Sequence, residues 1–141
     1  MGFLSAQDEQ AVKKEFQRLA APVTLTVFSS ALGPETNVQT VALVREVAAL
    51  SDKLSFKELN PHVDRAQAEA YGVELTPTVI VEGAKDYGLR FIGIPAGYEF
   101  ANLIDAIVAA STGQAALAEE TRAALAGLGE DVTIKVFTTP T

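Results

Sequence analysis

A chain of 141 residues with no cysteine and a single histidine offers few places for chemistry. The first is the turn Pro34-Glu35-Thr36-Asn37, which follows an apolar strand predicted over 23–28 and opens a long apolar-striped helix. A strand feeding a helix through a short loop carries the first helical turn, with its unsatisfied N–H groups and positive dipole end, to the edge of a sheet. A thiol placed there ionises easily and becomes a nucleophile. None of these four residues is a thiol, so the turn reads as a helix start, with Thr36 or Asn37 as the cap and Pro34 and Glu35 suited to the approach.

The remaining polar residues give little more. Thr76-Pro77 directly precedes an apolar run, and a proline that cannot donate to a ladder belongs at the start of a strand. His62, after Pro61 in a polar loop, reads as an exposed loop residue, and a lone histidine completes neither a nucleophile–base pair nor a zinc set. Glu99, Asn102 and Asp105 share a helix, where their spacing predicts a solvated face. Gly93 and Gly97 form a turn rather than a phosphate loop, because no Gly-Lys-Ser/Thr follows. No metal and no cofactor are expected. With 18 acidic against 11 basic residues, a formal charge of −7 and no basic cluster, nucleic acid is excluded as a partner. No apolar run approaches the roughly 20 residues that span a bilayer, and the N-terminus lacks the basic and apolar regions of a leader. Met1-Gly2 is followed by Ala6 where a myristoylation motif needs Ser or Thr. The cytoplasm is the default compartment.

The elements that must position the turn follow from periodicity. Ser5 and Asp8 resemble a capping box, and Val12, Phe16 and Leu19 recur at helical spacing before Pro22, predicting a helix over 6–19. The strand at 23–28 leads through the turn to a helix over 36–50, and 54–59 reads as a second strand. Helix-connected strands of this kind are parallel, with a right-handed crossover. A short helix over 64–71 ends at Gly72, and a strand that opens at Pro77 and runs to 82 forms a hairpin with 87–92. A helix over 98–110 closes the unit. The order α-β-α-β-α-β-β-α is the thioredoxin layout, an α/β fold. Beyond Gly113, a helix over 115–126 and a strand over 132–137 repeat the opening helix and strand at a period of roughly 110 residues. Two regions are therefore expected: a complete unit over 1–112, and the opening of a second unit over 113–141. An apolar strand without its own sheet invites pairing with another chain, so a homodimer through 132–137 is a further expectation.

The run Leu50-Ser51-Asp52-Lys53-Leu54-Ser55-Phe56, the segment Arg90-Phe91-Ile92-Gly93-Ile94-Pro95-Ala96-Gly97-Tyr98-Glu99-Phe100 and the end Val136-Phe137-Thr138-Thr139-Pro140-Thr141 carry a family resemblance. The chain resembles the glutaredoxin-like protein disulfide oxidoreductases of thermophiles, which are tandem thioredoxin folds. It is similar, to a lesser degree, to the N-terminal domain of the alkyl hydroperoxide reductase flavoprotein subunit, whose first unit lacks its cysteine pair while the second carries it. The first resemblance places the Cys-x-x-Cys of an active unit at Pro34-Glu35-Thr36-Asn37, both sulfur positions being lost, and matches Thr76-Pro77 to the cis-proline beside a peptide groove. It also implies that Cys-Pro-x-Cys of a second unit lies beyond Thr141, making this the N-terminal part of a tandem protein.

The resemblance thus implies a redox-inactive thioredoxin-like unit of a protein disulfide oxidoreductase, with a scaffold or docking role and a second thioredoxin-like unit as partner. The alternatives are a docking module of an alkyl hydroperoxide reductase-type peroxide-reducing system and a cysteine-free interaction domain. By itself the chain is expected to show no dithiol catalysis.

Overall fold

A computed structural model describes residues 2–139. Among these residues nine elements follow in order: α1 (Ala6–Phe16), β1 (Val23–Phe28), α2 (Thr36–Ala48), β2 (Leu54–Leu59), α3 (Arg65–Tyr71), β3 (Thr78–Glu82), β4 (Asp86–Ile92), α4 (Tyr98–Thr112) and α5 (Glu119–Ala126). The strands form one sheet in the order β2-β1-β3-β4. β1 and β2 run parallel with Val23 beside Leu54, while β3 lies antiparallel to both β1 and β4.

The central strands are apolar because both faces are covered. On one face Val23, Leu25 and Val27 of β1 and Val79 and Val81 of β3 join Val12 and Phe16 of α1, Val44 and Val47 of α2, and Leu103 and Ile107 of α4 in the main core. On the other, Phe28 and Ile80 pack with Ala68 of α3, backed by Leu59, Tyr71 and Val73. Phe28, at 0% exposure, meets the Tyr71 ring edge-on at 6.1 Å. Burying a side chain of that size contributes about 1.5–3 kcal/mol, so Phe28 both anchors α3 and fixes the end of β1.

Caps and pins hold the helices. The Ser5 hydroxyl accepts from the Asp8 N–H at 3.1 Å, and Asp8 Oδ2 accepts the Ser5 N–H at 3.2 Å. The Ser5 hydroxyl also donates to Asp8 Oδ2 at 2.6 Å, and this bond, together with the one from the Ser5 N–H, holds the Asp8 carboxyl below its ordinary pKa. α3 ends at Gly72 in the left-handed region, with φ 67°. The Ser111 hydroxyl, buried at the end of α4, accepts the N–H groups of Ala20 and Ala21 at 2.9 and 3.0 Å and donates to the Ala21 carbonyl at 2.6 Å. It thereby ties α4 to the loop that launches β1. Gly83, in the β3–β4 turn, lies so close to α4 that a Cβ there would collide with the Ala110 carbonyl.

Some elements differ from expectation. α1 stops at Phe16, and Leu19 is buried beyond it in a turn. The strand after Pro77 begins at Thr78. α4 continues to Thr112, two residues past its predicted end, and stops at Gly113 with φ 68°. α5 starts at Glu119 rather than at 115, and none of its residues is buried. Residues 132–137 form no strand among the described residues. Their β-branched side chains favour extended backbone, but a ladder requires a neighbour, and the sheet of this unit is built without them. Of the terminal Thr138-Thr139-Pro140-Thr141, the last two residues lie outside the described residues, as does Met1. No helix among the described residues is long and apolar enough to cross a membrane.

Candidate functional site

β1 ends at Phe28 and the chain turns through Ser29–Gly33 into α2, bringing Pro34-Glu35-Thr36-Asn37 to the end of the sheet. The cap is not the expected one. Glu35 occupies the N-cap position with helical backbone and no side-chain capping bond. Asn37 instead points inward at 1% exposure: its Oδ1 accepts the Ser30 N–H at 3.0 Å and its Nδ2 donates to the Pro34 carbonyl at 3.0 Å. One amide therefore spans the loop from both sides, as a donor and an acceptor in fixed opposition can. The Asn37 N–H also donates to the Pro34 carbonyl, at 2.9 Å, closing the first turn. The residue at the expected second sulfur position is a structural clamp, and Glu35 and Pro34 remain at the surface.

Beside this turn lies the stretch that leads into β3. The Thr76–Pro77 peptide bond is cis. The Pro77 carbonyl accepts the Gly93 N–H at 2.9 Å, and the Thr78 hydroxyl donates to the Leu75 carbonyl at 2.7 Å. Thr76, between them, makes no hydrogen bond to any described residue through its N–H or C=O. A cleft of about 580 Å³ connects Pro34 to Thr76, and Pro61, His62, Arg65 and Glu74 also line it. His62 is exposed, its N–H bonded to Asn60 Oδ1 at 2.9 Å.

Large apolar side chains ring this end of the sheet. Leu32 follows β1, Val38 lies in the first turn of α2, Val63 follows β2, Leu75 precedes β3, Ile92 ends β4 and Tyr98 begins α4. All six are between 61% and 94% exposed. The strand register puts them together: Phe28 pairs with Leu59 on one side and Thr78 on the other, and Thr78 pairs with Ile92. Scattered exposed apolar residues are ordinary; six around one end of a sheet mark the place where a partner surface would be sought. Glu99, Asn102 and Asp105 are exposed along α4. No group of three or more His, Cys, Asp or Glu residues able to hold a metal occurs among the described residues.

A polar network that the sequence did not reveal supports the Thr76 stretch. Arg90 of β4 grips Asp86 through two nitrogens, at 2.6 and 2.9 Å, and reaches the Tyr71 carbonyl at 3.3 Å while lying 5.6 Å from the Tyr71 ring centre. The Tyr71 hydroxyl donates to Glu82 at 2.6 Å. Arg90's hydrogen bonds hold the Asp86 carboxyl down at about 2, and the bond to Glu82 raises the Tyr71 hydroxyl above its ordinary value. The Asp86 bonds in turn raise Arg90. The network pins the last turn of α3 to the hairpin, and the chain from there runs straight through Gly72 to Thr76.

No protein-family model and no curated protein matches the sequence. Solved structures do match. The fold is thioredoxin-like. The chain superposes on the alkylhydroperoxide reductase protein AhpF of Enterococcus faecalis with a TM-score of 0.81 at 24% identity, covering 89% of this chain and 61% of that one. The NTD_N/C domain of the same reductase gives 0.75 at 23% identity, over 86% and 59% of the two chains. A protein disulfide oxidoreductase from Aeropyrum pernix gives 0.76 at 26% identity, over 88% and 55%. The chain thus spans between 55% and 61% of the length of these structures.

Proposed function

We propose that this chain is a redox-inactive thioredoxin-like unit that docks a partner protein through the end of the sheet beside Thr76-Pro77. The observation that carries the reading is the remodelled turn. Where a thiolate would be stabilised, Asn37 is buried as a clamp, while the apolar ring and the unpaired Thr76 backbone stand open around it. An extended segment of the partner pairs with the Thr76 N–H and C=O as an added strand, and its side chains settle on Leu32, Val38 and Leu75.

The partner in this reading is a second thioredoxin-like unit that carries the cysteine pair, which the likeness to the longer protein disulfide oxidoreductase supports. A second reading, a docking module of an alkylhydroperoxide reductase-type system, is favoured by the TM-score of 0.81 with AhpF. Amide chemical shifts recorded while either candidate partner is titrated in separate the two. The true partner moves Leu32, Val38, Leu75 and Thr76 first, and Leu75→Asp abolishes the response while changing stability by no more than about 0.5 kcal/mol. Binding that leaves those four amides unmoved refutes the docking site. Catalysis above background in a dithiothreitol-driven disulfide-reduction assay refutes the redox inactivity.

A further inference from the structure

The cleft that joins Pro34 to Thr76 has an apolar floor and a charged rim. Ala68 of α3 is 5% exposed, and Val73 is half-buried beside it, because the Val73 N–H donates to the Ala68 carbonyl at 2.8 Å and fastens the returning chain to the helix. Glu69 and Glu74 each stand one residue from that bond, and both are exposed and line the same cleft. Neither carboxylate makes a hydrogen bond or an ion pair with any described residue, although Arg65 lies one helical turn before Glu69. Two negative charges above an apolar floor, on a chain of formal charge −7, match a cation carried at the end of an apolar stem.

We propose that the partner segment docked at Thr76 is basic, with an Arg or Lys two residues after the one that pairs with Thr76; this rests on the docking reading above. One residue takes both the N–H and the C=O of Thr76 only in an antiparallel arrangement. Thr78 already pairs with Phe28 and Ile92, so the added strand extends the other way, toward Glu74. Its second residue past the anchor then falls opposite Glu74, with both side chains on one face. From there a long basic side chain lays its methylenes over Ala68 and Val73 and sets its charge between Glu69 and Glu74. A cation two residues before the anchor lies toward the paired part of β3 and gains neither contact. Arg65 favours an acidic segment, but it is a single charge at the first position of α3, against two carboxylates flanking the Val73 bond. Exposed charges of this kind choose among partners more than they add affinity, so the effect sought is selectivity.

Capped heptapeptides titrated into the full chain, with the amide shifts of Leu75 and Thr76 as readout, test the charge separately from the docking. The probes are Ser-Thr-Gly-Val-Thr-Arg-Ser, with Arg two places after the Val anchor, the same peptide with Glu for Arg, and Ser-Arg-Gly-Val-Thr-Thr-Ser, with Arg two places before it. The first is expected to bind about tenfold tighter than the Glu peptide and at least about threefold tighter than its rearranged isomer, with both margins shrinking as salt is raised. Glu69→Gln combined with Glu74→Gln, at two exposed positions, should remove the preference while circular dichroism stays unchanged, and Arg65→Gln should keep or widen it. Equal affinity of all three peptides, with the Leu75 and Thr76 amides moving each time, overturns the basic specificity and leaves the docking site standing. A preference for the Glu peptide, or an Arg preference that survives the double Gln variant, overturns it as well. If no peptide moves those amides, the docking reading falls and this inference with it.

Discussion

Asn37→Ala removes an amide that holds two backbone groups seven and three residues before it. The Ser30 N–H and the Pro34 carbonyl lose their partners at 3.0 Å each, at a position only 1% exposed, where water does not replace them without opening the loop. An unmade hydrogen bond at a buried group costs about 1–3 kcal/mol, and Ala in place of Asn returns roughly 0.5 kcal/mol of helix propensity. The Pro34 carbonyl keeps the Asn37 N–H as a donor at 2.9 Å, so its loss falls at the low end. The net destabilisation is about 2–3 kcal/mol. Urea denaturation followed by circular dichroism reads this directly: with a slope of about 1–3 kcal/mol per molar, the midpoint falls by roughly 0.7–3 M and the slope stays constant. Glu35→Ala is the control, because Glu35 sits at the N-cap without a capping bond and its loss should change stability by no more than about 0.5 kcal/mol. Equal midpoints for the two variants would show that the turn holds itself and that Asn37 is not its clamp.

Three further outcomes follow from named contacts. Asp86, held down at about 2 in the folded chain, contributes stability that is present above about pH 4 and fades as pH falls through its folded value; because a third of its side chain is exposed, the contribution is discounted to about 1 kcal/mol. Arg90→Met should erase that acid-side slope between about pH 4 and 2, and an unchanged slope in equilibrium unfolding across that window counts against the network. Gly83→Ala should cost about 1–3 kcal/mol, since the obstructing Ala110 carbonyl belongs to helix backbone; a melting temperature equal to wild type would mean that α4 shifts freely. Ser111→Ala leaves the N–H groups of Ala20 and Ala21 without their shared acceptor and should cost about 2 kcal/mol in thermal unfolding, with hydrogen exchange at those two amides rising first.

The parts of the fold legible in sequence are those set by neighbours in the chain. β1 and β2 have the bounds that their apolar, β-branched patterns predict, and Gly72 stands in the left-handed conformation that ends α3. What escaped depends on distance in sequence. The spacing at Asn37 suggests a cap, since Asn commonly accepts N–H groups ahead of it; here the side chain reaches back to Ser30, and only the path of the intervening loop brings that N–H within range. Arg90 meets the Tyr71 carbonyl across 19 residues, and Gly83 meets Ala110 across 27, neither of which a local pattern encodes. The segment 132–137 shows the complementary failure: its propensity for extended structure is real, but a strand is a relation between two segments, and propensity describes only one.

The clamp also bears on what sulfur placed at this turn would cost the loop. A thiolate at the start of α2 would draw on the free N–H groups and dipole of the first turn. In this chain the loop leading into that turn is held by Asn37: the Ser30 N–H goes to Asn37 Oδ1, and the Pro34 carbonyl takes both the side chain and the N–H of Asn37. A cysteine at 37 would have neither the second polar atom nor the reach to replace these contacts, so restoring sulfur at 34 and 37 would loosen the loop meant to carry it. The exposed features beside the turn do not depend on those contacts. The Thr76 backbone is positioned by Pro77, Gly93 and the Arg90 network, and the apolar ring by the ends of all four strands. The clamp at the turn and the cleft beside Thr76 are therefore held by separate contacts, which is the condition that the proposed docking role requires.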